Sequence, residues 1–261
     1  MLDYISAINL PAFLLIFVRV TSFFVTLPIF SYRNLPTQHK VGFSFFLAAL
    51  MYFTVDIPDL AVDENYFLLI FKEAAVGISV GLLAYIILAA IQIAGGLIDF
   101  QMGFAIANVI DPQTGAQSPL IGQYMYIITL LFILAVNGHH LMLDGIFYSY
   151  ELIPLDRLIP LQEESWILYI VDSFNQMFVI AFLMAVPIVG CLFLVDVALG
   201  IIARTVPQLN VFVVGLPLKI FVALFVLVIA MTFYIMLIQN LFELMLETMQ
   251  GLMQLFGGDE S

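Results

Sequence analysis

The chain has 261 residues, of which 64% are hydrophobic and only 10% are charged. Soluble domains use roughly 45–50% apolar and about 25% charged residues, so this composition excludes an ordinary soluble domain and predicts an integral membrane protein. The 19 acidic and 7 basic residues give a net charge of −12, which argues against a nucleic-acid partner because phosphate binding requires clustered Lys and Arg.

Six apolar segments follow one another along the chain, at about Leu10–Phe30, Val41–Ile57, Tyr66–Ile98, Leu120–Val136, Trp166–Ile202 and Val211–Leu241. We predict helices, because an open strand edge would leave backbone groups unpaired in lipid and because the segments lack the alternation of a barrel. The third and fifth segments exceed the roughly 20 residues of one span, so they should tilt, kink or extend past the bilayer. No hydrophilic domain interrupts the series, which predicts one all-α domain over residues 1–261.

Charged residues inside or beside these segments predict contacts between helices, because an ionised group at a helix centre costs roughly 2.5–3.5 kcal/mol. They are Arg19, Lys72, Glu73, Asp99, Asp196, Arg204 and Lys219. Arg19 and Lys72 have an alternative, since a long cationic side chain near a span end can reach the membrane interface.

Two helical stripes combine charges with glycines at intervals of four residues. The first consists of Glu73, Gly77 and Gly81. The second consists of Asp196, Gly200 and Arg204. The glycines predict close packing against a neighbouring helix. The two charges of the second stripe lie roughly 12 Å apart along the axis, too far to pair, so each should find a partner on another helix.

Residues 95–119, GGLIDFQMGFAIANVIDPQTGAQSP, interrupt the apolar pattern with glycines, amides and prolines. Gly95 and Gly96 predict a helix end, and Asp111-Pro112 with Gly115 predicts a turn. The intervening FAIANVI is too short to cross a bilayer. A loop that is half apolar and half amide should be buried in protein and not in lipid.

Residues 203–219, ARTVPQLNVFVVGLPLK, combine Pro207 and Pro217 with the amides of Gln208 and Asn210. This pattern predicts re-entrant or cavity-lining backbone, which a membrane protein tolerates only where protein or water surrounds it. The alternative is an ordinary polar loop between two spans.

Catalytic and metal-binding patterns are weak. His139, His140 and Asp144 lie near a span end, but adjacent histidines point to different helix faces, and the glutamate of an HExxH site is missing. Asp99 and Asp196 are intramembrane carboxylates, yet IDF and VDV lack the tyrosine and glycine context of an intramembrane aspartyl protease. We therefore predict no enzymatic activity, no metal and no cofactor.

Taken together, the polar, glycine and proline positions resemble the FliR family, the flagellar members of a class of export-gate subunits that includes the T-type subunit of virulence type III secretion systems. The resemblance covers nearly the whole chain. In its first half the carriers are Arg19, Pro28, Pro36, Lys40, Glu73, Gly77, Gly81, Gly96, Asp99, Gln101, Gly103, Phe104, Asp111 and Pro112. In its second half they are Asn137, Gly138, Asp196, Gly200, Arg204, Pro207, Gln208, Asn210, Val211, Phe212, Gly215, Pro217 and Lys219.

The resemblance implies a polytopic membrane protein of bent helical hairpins, incorporated into a helical export-gate assembly. The implied partners are FliP-type and FliQ-type subunits, other membrane components of the export apparatus and the lipid membrane. The implied location is the bacterial inner membrane, in the flagellar basal body. Unfolded flagellar proteins would pass through this gate, and neither a cofactor nor nucleic acid is implied.

The expected site residues fall into three groups. A plug-like loop that closes the pore is implied at Gly103, Phe104, Ile106, Asn108, Val109, Ile110, Asp111, Pro112, Gln113, Gly115 and Ser118. Polar contacts between helices or subunits are expected at Arg19, Glu73, Asp99, Gln101, Asp196, Arg204, Gln208, Asn210 and Lys219. Helix packing is expected at Gly77, Gly81 and Gly200.

The carboxyl-terminal residues, about 239–256, predict an amphipathic helix with one narrow polar stripe. The stripe consists of Gln239, Glu243, Glu247, Gln250 and Gln254. It lacks the Lys and Arg that a helix on an anionic lipid surface normally carries. We expect the apolar face to pack on partner subunits and the stripe to line an aqueous channel, with an interfacial membrane helix as the alternative.

A secondary transporter is the alternative function. In that case Asp196, Arg204 and the broken segments would form a substrate or ion site near the middle of the membrane. The acidic stretches at 56–64 and 151–164 match no role in either interpretation.

Overall fold

The computed structural model of the chain describes residues 9–31, 35–58, 64–104, 119–159, 165–208 and 210–257. All regular structure within these residues is helical, which confirms the all-α prediction. The seven helices described are α1 (Leu10–Thr26), α2 (Thr37–Met51), α3 (Glu64–Met102), α4 (Leu120–Ala135), α5 (Gly138–Leu152), α6 (Ser165–Thr205) and α7 (Val211–Gly257).

Three of these helices are long and apolar enough to cross a membrane: α3, α6 and α7, whose most apolar stretches have mean hydropathies of 2.4, 2.9 and 2.8. The bent pair formed by α4 and α5 is a fourth span if the two helices are counted together. α1 and α2 have 17 and 15 residues, fewer than the roughly 20 of a straight span. The six apolar segments are therefore helical without being six spans.

The two longest helices, α6 and α7, contain 41 and 47 residues. At about 1.5 Å per residue they measure roughly 60–70 Å, about twice the ~30 Å hydrocarbon core. The fifth apolar segment is thus too long for one upright span, as its sequence predicts. α7 continues without a break into the predicted carboxyl-terminal helix.

Two of the helix ends follow from local chemistry. α1 stops at Leu27, which is extended with ψ of 127° because the following residue is Pro28. Between α4 and α5 the backbone of Asn137 adopts a left-handed conformation, with φ of 57° and ψ of 23°. Asn tolerates this conformation better than most non-glycine residues, so it accommodates the bend of the pair. The sequence analysis does not anticipate α5.

Two predicted helix breaks are wrong. α3 passes through Gly95 and Gly96 and ends only at Met102, and α7 passes through Pro217. Gly95 lies against the backbone of Gly122, so its lack of a side chain serves helix packing and not a helix end. Pro217 lies in the second turn of α7, where it removes one backbone hydrogen bond from a helix of 47 residues. The described backbone at 203–219 is consequently helix on both sides of a short connection, and Val211 and Lys219 line a cavity, as the cavity-lining interpretation predicts.

The chain divides into two compact units, to which the long helices contribute separate parts. Unit 1 comprises Met1–Ile87, Ile133–Phe174 and Glu243–Ser261, and unit 2 comprises Leu88–Phe132 and Asn175–Phe242. The assignment of a single domain to residues 1–261 stays a prediction.

An aromatic contact surface holds α1 against α2 in unit 1. The Phe24 ring lies 5.2 Å from that of Phe43, and the Phe13 ring lies 5.4 Å from that of Phe45, both edge to face. Such pairs contribute roughly 0.5–1.5 kcal/mol beyond the area they bury. The opposite face of α1 is fully buried and supplies much of the core of this unit.

The carboxyl-terminal part of α7 packs within unit 1. Gly251 lies against the phenol of Tyr169, and Gly257 lies against the backbone carbonyl of Leu152. The apolar side chains Met245, Met249, Leu252, Met253 and Phe256 are buried, whereas the five residues of the polar stripe are exposed. The expectation that this apolar face packs on partner subunits is wrong for these residues, because the chain itself covers them.

Replacing the fully buried Leu252 by Ala should lower the thermal midpoint of the protein in detergent, since the side chain leaves a cavity worth about 2–5 kcal/mol. The matched control is Gln254→Ala on the exposed stripe, which should leave the midpoint unchanged. Equal effects of the two substitutions on thermal unfolding, followed by circular dichroism, would contradict this packing.

Candidate functional site

Three ionisable side chains form a buried charge cluster in unit 1: Arg19 on α1 with Lys72 and Glu73 on α3. Arg19 and Glu73 are fully buried. The guanidinium forms a two-pronged pair with the carboxylate, in which Nε contacts Oε2 and Nη2 donates to Oε1 at 2.9 Å. The ammonium of Lys72 lies 2.5 Å from the same Oε1. Both cations are buried within the chain. The alternative, in which Arg19 and Lys72 extend to the membrane interface, is therefore wrong.

The two cations also bind the carboxyl-terminal end of α5. Arg19 donates to the backbone oxygens of Ser149 at 2.9 Å and Ile153 at 2.8 Å, and Lys72 donates to that of Pro154 at 2.6 Å. Two cations against one carboxylate leave one excess positive charge, which the negative end of the α5 dipole favours. The charge cluster therefore ties α1 and α3 to the end of α5.

An aromatic ring completes the environment of Arg19. The guanidinium carbon lies 4.0 Å from the ring centroid of Tyr150, a cation–π geometry that is strongest when water is excluded. The Tyr150 hydroxyl donates to the backbone oxygen of Ile16, at 3.3 Å, so its polar end is also satisfied. The sequence analysis misses Tyr150 and the three carbonyls. Backbone acceptors have no sequence signature, and nothing near Tyr150 marks it.

Three polar side chains meet in unit 2 and are called here the Asp196 triad: Gln101 of α3, Asp196 of α6 and Lys219 of α7. Lys219 Nζ lies 2.5 Å from Asp196 Oδ1, and Gln101 Nε2 donates to Asp196 Oδ2 at 2.9 Å. Lys219 also donates to the backbone oxygen of Gln101, at 3.5 Å. The side chains of Lys219 and Asp196 are 20% and 37% exposed, so this pair is partly solvated. It borders a cavity of about 360 Å³.

The third contact group joins α3 to α4 in unit 2 and is called here the stem. The buried Asp99 carboxylate accepts the backbone N–H of Ile121, at 3.0 Å to Oδ2, and also interacts with the N–H groups of Leu120 and Gly122. These are orphan donors of the first turn of α4, whose positive dipole end favours a carboxylate. Beside them, Gly95 lies against the backbone of Gly122.

Gly77 and Gly81 lie where α3 packs on α1 in unit 1. A Cβ at Gly77 would overlap Ser22 Oγ and the backbone oxygen of Arg19. At Gly81 it would overlap Thr26 Oγ1. These contacts bring the two backbones together beside the charge cluster. Gly200 differs, because a Cβ there would meet open space.

Three of the expected polar contact residues lie in the connection between α6 and α7 or beside it. Asn210 Oδ1 accepts the backbone N–H of Phe212 at 3.1 Å and so caps α7. Arg204 and Gln208 are exposed, and Arg204 forms no ion pair within the described part of the chain. Of the charged pair at 196 and 204, therefore, only Asp196 has a partner on another helix among these residues.

Most of the expected plug loop lies outside the described residues. Gly103 and Phe104 are described, and the remaining positions are Ile106, Asn108, Val109, Ile110, Asp111, Pro112, Gln113, Gly115 and Ser118. The rings of His139 and His140 lie 4.2 Å apart. The ranges that the structure describes contain no group of three or more His, Cys, Asp or Glu side chains able to hold a metal ion.

Residues 10–245 match the family described as bacterial export proteins, family 1. The chain belongs to this family. It is similar to a flagellar biosynthetic protein FliR of Bacillus subtilis (strain 168), with 58% identity over 95% of this chain and 96% of the relative. For the FliR protein of Escherichia coli (strain K12) the identity is 28%, over 79% of this chain and 78% of the relative. For a Yop proteins translocation protein T of Yersinia pestis the identity is 33%, over 81% of this chain and 82% of the relative.

The region shared with the export family contains all three contact groups, because it extends from residue 10 to residue 245. The end of α7, from 246 to 257, lies beyond it. This family membership and the apolar helices make the chain a membrane-embedded component of bacterial export, and they confirm the family resemblance drawn from the sequence.

Substituting Glu73 by Gln should destabilise the folded chain by about 3–5 kcal/mol, because two buried cations lose the carboxylate that they share. The matched control is Glu151→Gln, the same change on the exposed face of α5. The measurement is thermal unfolding of the two purified variants in one detergent. A Glu73→Gln variant as stable as the control would mean that the cluster is not held together by charge.

Substituting Gly95 by Ala should also lower the unfolding temperature, because the added methyl would overlap backbone atoms of Gly122 that cannot rotate away. Gly190→Ala is the matched control, since this helical glycine has open space around it. Its helix should gain roughly 0.5–1 kcal/mol from the lower backbone entropy of Ala. A stabilising Gly95→Ala substitution would show that α3 and α4 do not meet there.

Proposed function

We propose that this chain is a core subunit of the flagellar type III protein export gate, and that it helps to form and close the pore through which unfolded flagellar proteins leave the cell. The observation that carries the proposal is the similarity to a flagellar biosynthetic protein over 95% of the chain at 58% identity. The shared family and the similarity to a Yop proteins translocation protein support the wider class of type III export.

The two longest helices support a function inside an assembly. In α6 and α7, 28% and 17% of the residues in the most apolar stretch are buried by the chain, against 61% in α3. Large side chains such as Phe225 and Val228 are 60% and 73% exposed. Surfaces this apolar require lipid or other subunits around them. We infer FliP-type and FliQ-type subunits as the partners and the bacterial inner membrane as the location.

The closing element of the proposed gate is the loop between α3 and α4, which begins at Gly103 and ends at Ser118. Its apolar and amide side chains can seal against other subunits without a charge cluster to desolvate. Its support in this chain is the stem, where Asp99 binds the start of α4 and Gly95 meets Gly122. These contacts join the end of α3 to the start of α4, the two helices on either side of the loop.

A secondary transporter is not favoured. That function needs Asp196 and Arg204 to converge on one site, but Asp196 binds Lys219 and Gln101, and Arg204 is exposed to solvent or lipid within the described residues. The similar proteins named above are biosynthetic and translocation proteins and include no transporter of small solutes.

Replacing Ile106, Val109 and Ile110 by Gly, or deleting residues 105–118, should leave the export complex assembled but permeable to ions and small solutes, because the closing surface is removed. Thr114→Ser in the same loop is the control, and it should keep permeability low. The readouts are solute uptake by cells and the yield of purified complex. A tight membrane around a complete complex that lacks the loop would overturn the proposed closure.

A further inference from the structure

The last turn of α3, residues 99–102, is held by three other helices of unit 2. Asp99 binds the amino-terminal end of α4 at Ile121. The side chain of Gln101 binds Asp196 of α6. The backbone oxygen of Gln101 accepts Lys219 of α7, and Lys219 and Asp196 pair with each other. This turn is the last of α3, and Gly103 and Phe104 follow it.

The carbonyl groups of this turn require donors, because the last four carbonyls of a helix have no intrahelical partner. Phe104 N–H donates to the Asp99 oxygen at 3.0 Å, and Gly103 N–H donates to the Phe100 oxygen at 3.1 Å. Gly103 has φ of 91°, so this is a Schellman ending, which only glycine adopts easily. Lys219 provides the third donor, and it is the one that comes from another helix.

The Asp196 triad differs from the buried charge cluster in its exposure to solvent. A partly exposed ion pair contributes little to folding stability, because water and salt screen it. Its geometric effect is larger, since Lys219 fixes a carbonyl in the final turn and Asp196 fixes the side chain of the same residue, Gln101. The triad thus restrains the direction in which the backbone leaves α3, and it contributes little to the stability of the fold.

We propose that Lys219 and Asp196 are positioning residues of the export gate, which hold the last turn of α3 and thereby the exit point of the loop at 105–118. This inference rests on the proposed function of that loop. Loss of Lys219 removes the contact to the backbone oxygen of Gln101, and loss of Asp196 removes the contact to its side chain. The exit at Gly103 and Phe104 then gains freedom while α3, α6 and α7 remain folded.

The first test measures permeability in cells that carry the complete export complex. Lys219→Met and Asp196→Asn should each raise ion and small-solute leakage several-fold, with an unchanged yield of complex. Lys219→Arg keeps the cation and should remain close to the unmodified protein.

The second test is independent of leakage. Cys191 is the single cysteine, so a Cys191→Ser background allows one nitroxide label at Phe104→Cys. In the purified complex, Lys219→Met should increase the mobility of this label in its electron paramagnetic resonance spectrum, and Lys219→Arg should not. Unchanged mobility in Lys219→Met would overturn the positioning inference.

The loop deletion separates the two proposals. If the deletion causes leakage but Lys219→Met and Asp196→Asn do not, the loop closes the pore and the triad does not position it. If the deletion causes no leakage, the proposed closure fails, and label mobility alone decides whether the triad restrains the exit from α3.

Discussion

The buried carboxylate of Glu73 is the constraint on which unit 1 depends. Arg19 of α1 and Lys72 of α3 both pair with it, and the Arg19 pair holds α1 against α3. The remaining positive charge is satisfied by the backbone carbonyls at the end of α5, including those of Ser149 and Ile153. Because an unpaired charge in such a place is far costlier than a lost surface contact, α1, α3 and α5 have one mutual arrangement.

Unit 2 is organised by weaker polar contacts. The pair of Asp196 and Lys219 is partly exposed, and its contribution is to geometry at the end of α3 more than to stability. The stem adds a carboxylate that caps a neighbouring helix and a contact between two glycines. Unit 1 therefore has a buried charge cluster, whereas the Asp196–Lys219 pair at the end of α3 in unit 2 is partly exposed.

The exposed apolar surfaces of α6 and α7 relate the fold to assembly. A membrane protein that acts alone covers its polar pathway with its own helices, but here the longest two helices bury little of their length in the chain. The carboxyl-terminal end of α7 is the exception, since Met245 and Leu252 pack inside unit 1 and leave only a Gln and Glu stripe exposed. The chain thus combines a buried core in unit 1 with exposed apolar surfaces on α6 and α7, which lipid or neighbouring subunits would cover.

The sequence by itself determined the class of protein, the helical character of the apolar segments and the charged positions that matter, because composition and spacing are local properties. Only the tertiary structure decided the pairings. Arg19 meets Glu73 and Ser149 across separations of 54 and 130 residues, and Lys219 rather than Arg204 stands beside the triad carboxylate. Gly95 reads locally as a helix end, yet the approach of Gly122 makes it a packing position inside α3. The physical reason is that partners, helix neighbours and backbone acceptors depend on which segments come together in space, and every residue carries a carbonyl whether or not a cation reaches it.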